Sequence, residues 1–500
     1  MTDTTDSGIT PTVAEGARAS AEGNLVGVQR LKTSDLRLRE VVFQNIANMA
    51  PAAAIGYDFY LIGAATAAGA AMGLVSVIGA LLVLAAAFTV SQFAQRLPSA
   101  GSFYTYISHG LGLKTGTWSG LVFFMYSMVL PAEVTIIWAG LTQGIVNQYL
   151  HVNISWIVWE ILMVSIITAL AYFGIKPSLR VAMITSSLEI IIFGALGVAC
   201  LVNPTSPVDL KPFLPSSAPA GWSGIMAFGL VYTILNFVGF EAAAPIAEET
   251  LNPRRNIGRS VMTAAILASV LYTFMSFAVV PGWGFSNWAA FSAGGPDSWN
   301  VLANRYVSIG WLFIYLAMTN SSLGCSLAVT NNASRVLYAM GRINVMPKLF
   351  GRVHPKYGTP HQTIILMYFT TLAFAIVAGL IWGYLNGFGV LAAILTIGAM
   401  IVYAIANLAL PFFIRREDRP HFSVIKHIVI PAAGGAVMAY TLYRTVWPIP
   451  AYPYNIPGYV GIAWIVASFG FLVYLLRRKR DAVAKGKLLV ALEEEDTLAT

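Results

Sequence analysis

Over 500 residues the hydrophobic fraction is 57%, the mean hydropathy is +0.70 and only 10% of side chains are charged. Soluble domains carry roughly 25% charge, so a water-soluble globule of this size is excluded. The net charge of +8 raises the question of nucleic acid, which the placement of the bases decides.

Residues 1–40 are polar, rich in Ser, Thr, Ala and Gly, and lack the basic-then-apolar layout of a signal peptide; they read as a disordered cytoplasmic tail. Apolar runs near 20 residues, the length that crosses the hydrocarbon core, then recur. They fall at 42–68, 73–95, 117–148, 155–175, 181–203, 222–247, 260–282, 308–334, 362–383, 387–414, 428–447 and 457–476. The fold class is therefore an all-α membrane protein of about twelve transmembrane helices. Residues 481–500 form a second cytoplasmic tail.

With both termini inside, all of the 30 Lys and Arg except Lys211, Arg305 and Arg444 lie on the inner face. That bias predicts cytoplasmic termini in a plasma (inner) membrane and accounts for the basic charge without nucleic acid. The cluster Arg477, Arg478, Lys479 and Arg480 reads as a positive stop touching anionic membrane lipid. Cys200 and Cys325 fall in apolar spans and read as small buried side chains.

A spanning helix satisfies its own backbone, so Pro and Gly in mid-span mark places where freed groups face protein, water or ligand. The first span carries Asn48-Met-Ala-Pro51-Ala-Ala-Ala-Ile-Gly56, and the sixth carries Asn236-Phe-Val-Gly239-Phe-Glu241 followed by Pro245. Two broken helices five spans apart are what a five-plus-five inverted repeat produces, with a site between them near mid-membrane.

The ionisable residues inside spans are Asp58, Glu133, Glu160, Glu189 and Glu241, with no Lys or Arg in any mid-span. A central carboxylate costs roughly 2.5–3.5 kcal/mol on insertion scales, so each carries a functional hypothesis. The missing positive charge is a proton, a sodium ion or an amine on the substrate. Glu160, near a span end, is expected to snorkel to the outer interface, and Asp58 either caps the continuing half-helix or binds. Glu133 and Glu241 are the stronger candidates. No histidine sits in mid-span, and no phosphate-cradling loop, metal-ligand spacing or nucleophile elbow is present. ATP-driven transport and membrane enzymology are therefore disfavoured, and no catalytic residue, cofactor or metal is assigned.

Three segments together resemble the amino acid, polyamine and organocation (APC) superfamily of permeases over about 36–480. They are Phe237-Val-Gly-Phe-Glu241 with Ala247-Glu-Glu and Asn252-Pro-Arg-Arg-Asn-Ile-Gly-Arg259; Arg96-Leu-Pro-Ser-Ala-Gly-Ser-Phe-Tyr104; and Asn332-Ala-Ser-Arg-Val-Leu-Tyr-Ala-Met-Gly-Arg342 with Pro347 and Thr359-Pro360. The resemblance implies a twelve-span transporter domain over 41–480, with repeats at 41–203 and 222–414 and two extra helices at 428–476. It implies alternating access, with a substrate carboxylate on the amides of Ala53, Ala54, Ile55 and Gly56. The substrate amine would sit on Asn236, Phe237, Gly239 and Phe240, with Phe237 or Phe240 as an aromatic lid.

Two departures stand out. Pro51 and alanines replace the closely spaced glycines of the first span, and Glu189 stands near the place where proton-coupled relatives carry a lysine. The expectation is a secondary active importer of an amino acid, proton-coupled, with Glu133, Glu189 and Glu241 in charge compensation. A polyamine or small-amine permease is the alternative, and a transporter-like sensor a more remote one. The partners are then a small-molecule substrate, a coupling proton or sodium ion, and membrane lipid.

Overall fold

The computed structural model describes residues 36–478 apart from 98–100, 175–178, 245, 247–249 and 343–345. The tail segments 1–35 and 479–500, Pro98–Ala100, Pro245 and Ala247–Glu249 of the sequence motifs, and Lys479 and Arg480 of the basic stop, lie outside the described residues. Among the described residues the regular structure is helical, with a single isolated bridge between Leu36 and Thr250. Leu251 N donates to Leu36 O at 2.9 Å. Of the segment expected as a tail, residues 36–40 are described, with Leu36 in this bridge and helix from Leu38.

The first helix, α1 (Leu38–Met49), starts with Glu40 reaching back to the Arg37 amide at 2.9 Å. It ends where Ala50 adopts a left-handed conformation (φ 48°, ψ 67°) and Pro51, lacking an N–H, cannot continue the ladder. The chain restarts as α2 (51–62), in which Pro51 supplies the fixed φ of a first turn and Ala54–Asp58 widen into a π-helical turn.

Next come α3 (Met72–Arg96), the short α4 (Phe103–Leu111), α5 (Leu113–Leu150), α6 (Trp156–Tyr172) and α7 (Leu179–Val202). The sixth apolar segment, α8 (Gly221–Leu235), passes through its own π-helical turn at Ile225–Gly229 and then dissolves into turns from Asn236 to Ala243. Then follow α9 (Pro253–Trp283), α10 (Gly310–Arg342), α11 (His361–Glu417), α12 (Ile430–Val446) and α13 (Ile456–Arg478).

At 57 residues α11 would be about 85 Å long if straight, far more than the roughly 30 Å core. It is interrupted at Gly383 (φ 75°, ψ 159°), and a Cβ on Gly387 would meet the Ala378 carbonyl carbon at 3.0 Å, so the chain doubles back there. Among the described residues eight helices are long and apolar enough to cross a membrane by length and composition, and α6 and α8 are shorter apolar helices. The chain is thus an all-α, multi-pass membrane protein.

Burial orders these helices. The apolar stretch of α5 is 94% buried and that of α13 only 22%, which puts α5 at the centre and α13 at the rim. Outward faces carry Ile184, Leu188, Ile191, Val198, Phe369, Val377, Leu380, Val466 and Phe469, all exposed. Apolar rims of this extent suit lipid and would aggregate in water.

Candidate functional site

The break between α1 and α2 leaves carbonyls and amides that a bilayer cannot satisfy. Other helices supply the partners. Cys325 Sγ of α10 lies 3.1 Å from Asn48 O, and Tyr272 OH of α9 donates to Met49 O at 3.3 Å. On the amide side, Pro51 has no N–H and Ala54 N donates back to Ala50 O at 2.8 Å. Ala52 N donates to Glu189 Oε2 of α7 at 3.5 Å, and Asn320 Nδ2 of α10 donates to Glu189 Oε1. Glu189 thus pins the start of α2 to α7 and α10.

The sixth segment meets this break face to face. Gly239 has φ 108°, and a Cβ there would lie 2.0 Å from Asn48 Nδ2, so both backbone and space demand glycine. Asn45 Oδ1 of α1 accepts from Ala243 N at 2.6 Å. The Glu241 carboxylate faces away, into a buried cluster. Its Oε1 accepts from Tyr126 OH of α5 and Tyr403 OH of α11, each at 2.9 Å, and its Oε2 accepts from Gly239 N at 3.2 Å.

Between the breaks lies a cavity lined by Asn48, Met49, Ala50, Ala53, Ala54, Tyr57, Asp58, Leu130, Glu133, Val134, Leu235, Val238 and Cys325. Its free space of about 30 Å³ holds only about two waters, so a solute enters only if the walls move. Asp58 and Glu133 are each 4% exposed, and no Lys, Arg or His is in the lining. Asp58 Oδ1 has no partner, and neither carboxyl forms an ion pair or hydrogen bond among the described residues. Two acids without a basic partner in a dry apolar wall need a counter-charge, which a proton, a cation or an ammonium group can supply.

Of the residues singled out as site candidates from sequence, Ala53, Ala54, Asp58 and Glu133 line this cavity. Ile55 and Gly56 are buried outside the lining, and a Cβ on Gly56 would strike Met318 Cε at 2.5 Å. The hydrogen bond from Ala54 N means that this amide is not free. Asn236, Phe237, Gly239 and Phe240 are buried beside the cavity without lining it. Phe237 packs edge-on against Tyr272 (5.1 Å between centroids) and Phe240 against Tyr403 (5.2 Å).

Two expectations are corrected. Glu160 does not snorkel: it is 0% exposed, and its Oε1 lies 2.7 Å from Thr135 Oγ1. Asp58 does not cap the following helical turn, since its side chain makes no capping hydrogen bond and its backbone is helical. Its role as a wall residue was signalled in the sequence by a carboxylate in an apolar run. Tyr57 carried no such signal; its hydroxyl is 3.1 Å from Ser322 Oγ.

A family model described as Amino acid permease matches residues 40–482. The chain is 23% identical to the Methylthioribose transporter of Bacillus subtilis over 84% of this chain and 88% of that protein. It is 26% identical to the Branched-chain amino acid permease BcaP of the same organism, over 77% of this chain and 82% of that one. It is also 26% identical to the Low-affinity putrescine importer PlaP of Escherichia coli, covering 71% and 76% respectively.

Proposed function

The chain belongs to the amino acid permease family, and from that premise we propose that it is a secondary active transporter of a small amine, working by alternating access around the Asp58–Glu133 cavity. The observation that carries this reading is the pair of buried, uncompensated carboxyls on one cavity wall. An ammonium group between them supplies the counter-charge that the lining lacks. Two acids suit a diamine, or one amine together with a coupling proton or sodium ion. The likeness to a putrescine importer supports the same class.

In this reading the chain has twelve spans, counted with α1–α2 and α8 with its following turns as the two broken ones and α11 as two. The repeats are 41–203 and 222–414, with 428–476 outside the core, both termini are cytoplasmic and the membrane is the plasma membrane. Glu189 and Glu241 hold the broken helices, leaving Asp58 and Glu133 for charge compensation.

A second reading, transport of an amino acid, is favoured by Ala53 and Ala54 in the same wall and by the likeness to BcaP. Exchange into proteoliposomes separates the two. Competition by putrescine or ethanolamine, and by no zwitterionic amino acid, is the expected result; the reverse pattern selects the second reading.

A further inference from the structure

Glu160 takes no part in the cavity, yet it is a fully buried carboxyl in the wall of α6. Its neighbour Thr135 of α5 has Oγ1 at 2.7 Å from Glu160 Oε1 and also at 2.7 Å from Pro131 O. A hydroxyl owns one proton. It cannot be donated in full to two oxygens that only accept. If Glu160 is a carboxylic acid, the chain closes: Glu160 donates to Thr135 Oγ1, and Thr135 donates to Pro131 O. Glu160 Oε2 has no partner, which is tolerable for a neutral carbonyl oxygen and far costlier for half of a carboxylate.

The helices packed on α6 are α5, α10 and the first half of α11. On α5, Glu133 faces the cavity and Tyr126 holds Glu241. On α10, Cys325 faces the cavity, Tyr315 OH meets Thr142 Oγ1 at 3.0 Å, and Arg335 and Tyr338 lie towards its far end. On α11, Tyr368 OH meets Ser165 Oγ at 3.4 Å, the His361 ring lies beside Tyr172, and Tyr384 packs on Gly140. No ion pair among the described residues includes Glu160.

We propose that Glu160 is a proton-binding site, separate from the substrate cavity, whose occupancy is read by the Thr135 hydroxyl and passed to the cavity wall. When Glu160 releases its proton to water, the Thr135 proton turns to the new carboxylate, because charge-assisted hydrogen bonds are the stronger ones. Pro131 O then loses it. The proline turn of α5, already one ladder bond short, carries Leu130, Glu133 and Val134 of the cavity wall. A second cavity of about 10 Å³ adjoins Pro131 and has room for about one water. Thr168, Thr330, Tyr368 and Thr371 line it with hydroxyls, so a water there would be a relay point for the proton, whose final acceptor is bulk water.

The functional half rests on the transporter reading above, whereas the proton itself is read without any substrate. Infrared spectra of the purified protein in lipid at neutral pH should contain a carboxylic-acid carbonyl band that Glu160→Gln lacks and that Thr135→Val shifts. Identical acid bands in wild type and Glu160→Gln overturn the proposal. In proteoliposomes Glu160→Gln, a fixed mimic of the protonated form, should keep amine exchange at equal pH and lose accumulation driven by a pH gradient. Undiminished accumulation overturns the coupling. Absence of any amine exchange in wild type counts against the cavity reading alone, and the infrared band still decides the proton site.

Discussion

The two helix breaks solve one problem in opposite ways. At the first, the freed groups are stitched by side chains from three other helices, Tyr272, Cys325 and Glu189. The wall that results keeps Asp58 open to the cavity, with Glu133 of α5 also unpaired there. At the sixth segment the backbone knots itself in short turns. Phe237 N donates to Ile234 O, Val238 N to Leu235 O and Phe240 N to Phe237 O. Its acid, Glu241, is held by three donors. A carboxylate so surrounded is a clamp, whereas the unpartnered ones are those proposed to bind. The same residue type in two broken segments therefore does different work, and the hydrogen-bond inventory tells them apart.

Substitutions can break this contrast. The largest effect is expected at the knot: Gly239→Ala adds a Cβ onto Asn48 at a positive φ and should cost at least about 4 kcal/mol, read as loss of monodisperse protein on purification. Glu241→Ala strands the Tyr126 and Tyr403 hydroxyls and the Gly239 amide, and should lower unfolding stability by about 3–5 kcal/mol in a thermal or denaturant assay. A stitch is weaker than the clamp. Cys325→Ala removes one thiol donor to Asn48 O and should cost about 1–2 kcal/mol in the same assay.

The smallest effect lies outside the membrane. Asp418 pairs with Arg96 at 2.8 Å and with His421 at 2.6 Å. Partial burial pushes its carboxyl up, but His421 and Arg96 outweigh this and hold it below the usual carboxylate range. A depressed folded value means that the tie is fully present above the ordinary carboxylate range and is lost as pH falls through the folded value. Asp418→Asn should therefore remove less than about 1 kcal/mol at neutral pH, and the difference from wild type should vanish in acid.

Much of this was legible in the sequence, for identifiable reasons. Pro51 lacks an N–H and Gly239 lacks a Cβ, so both breaks announce themselves wherever a helix should run on. Charges in apolar runs announced the buried acids. The facing of individual residues was not legible, because Ala54–Asp58 form a π-helical turn that inserts a residue and rotates the register. Ala53, Ala54 and Tyr57 reach the cavity, and Ile55 and Gly56 do not. In the sixth segment the tight turns present Leu235 and Val238 to the cavity and keep Phe237 and Phe240 in packing. Glu160 was misjudged because its partner, Thr135, sits 25 residues away on another helix, and position along a span says nothing about such a neighbour.

The central claim is that Asp58 and Glu133 bind an ammonium group. Titration of the purified protein with putrescine by calorimetry tests it most directly, with Asp58→Asn and Glu133→Gln beside wild type. Binding to wild type and a loss of about 2–5 kcal/mol, tens- to thousands-fold in Kd, in either variant is the expected result. Equal affinity in all three proteins would contradict the account.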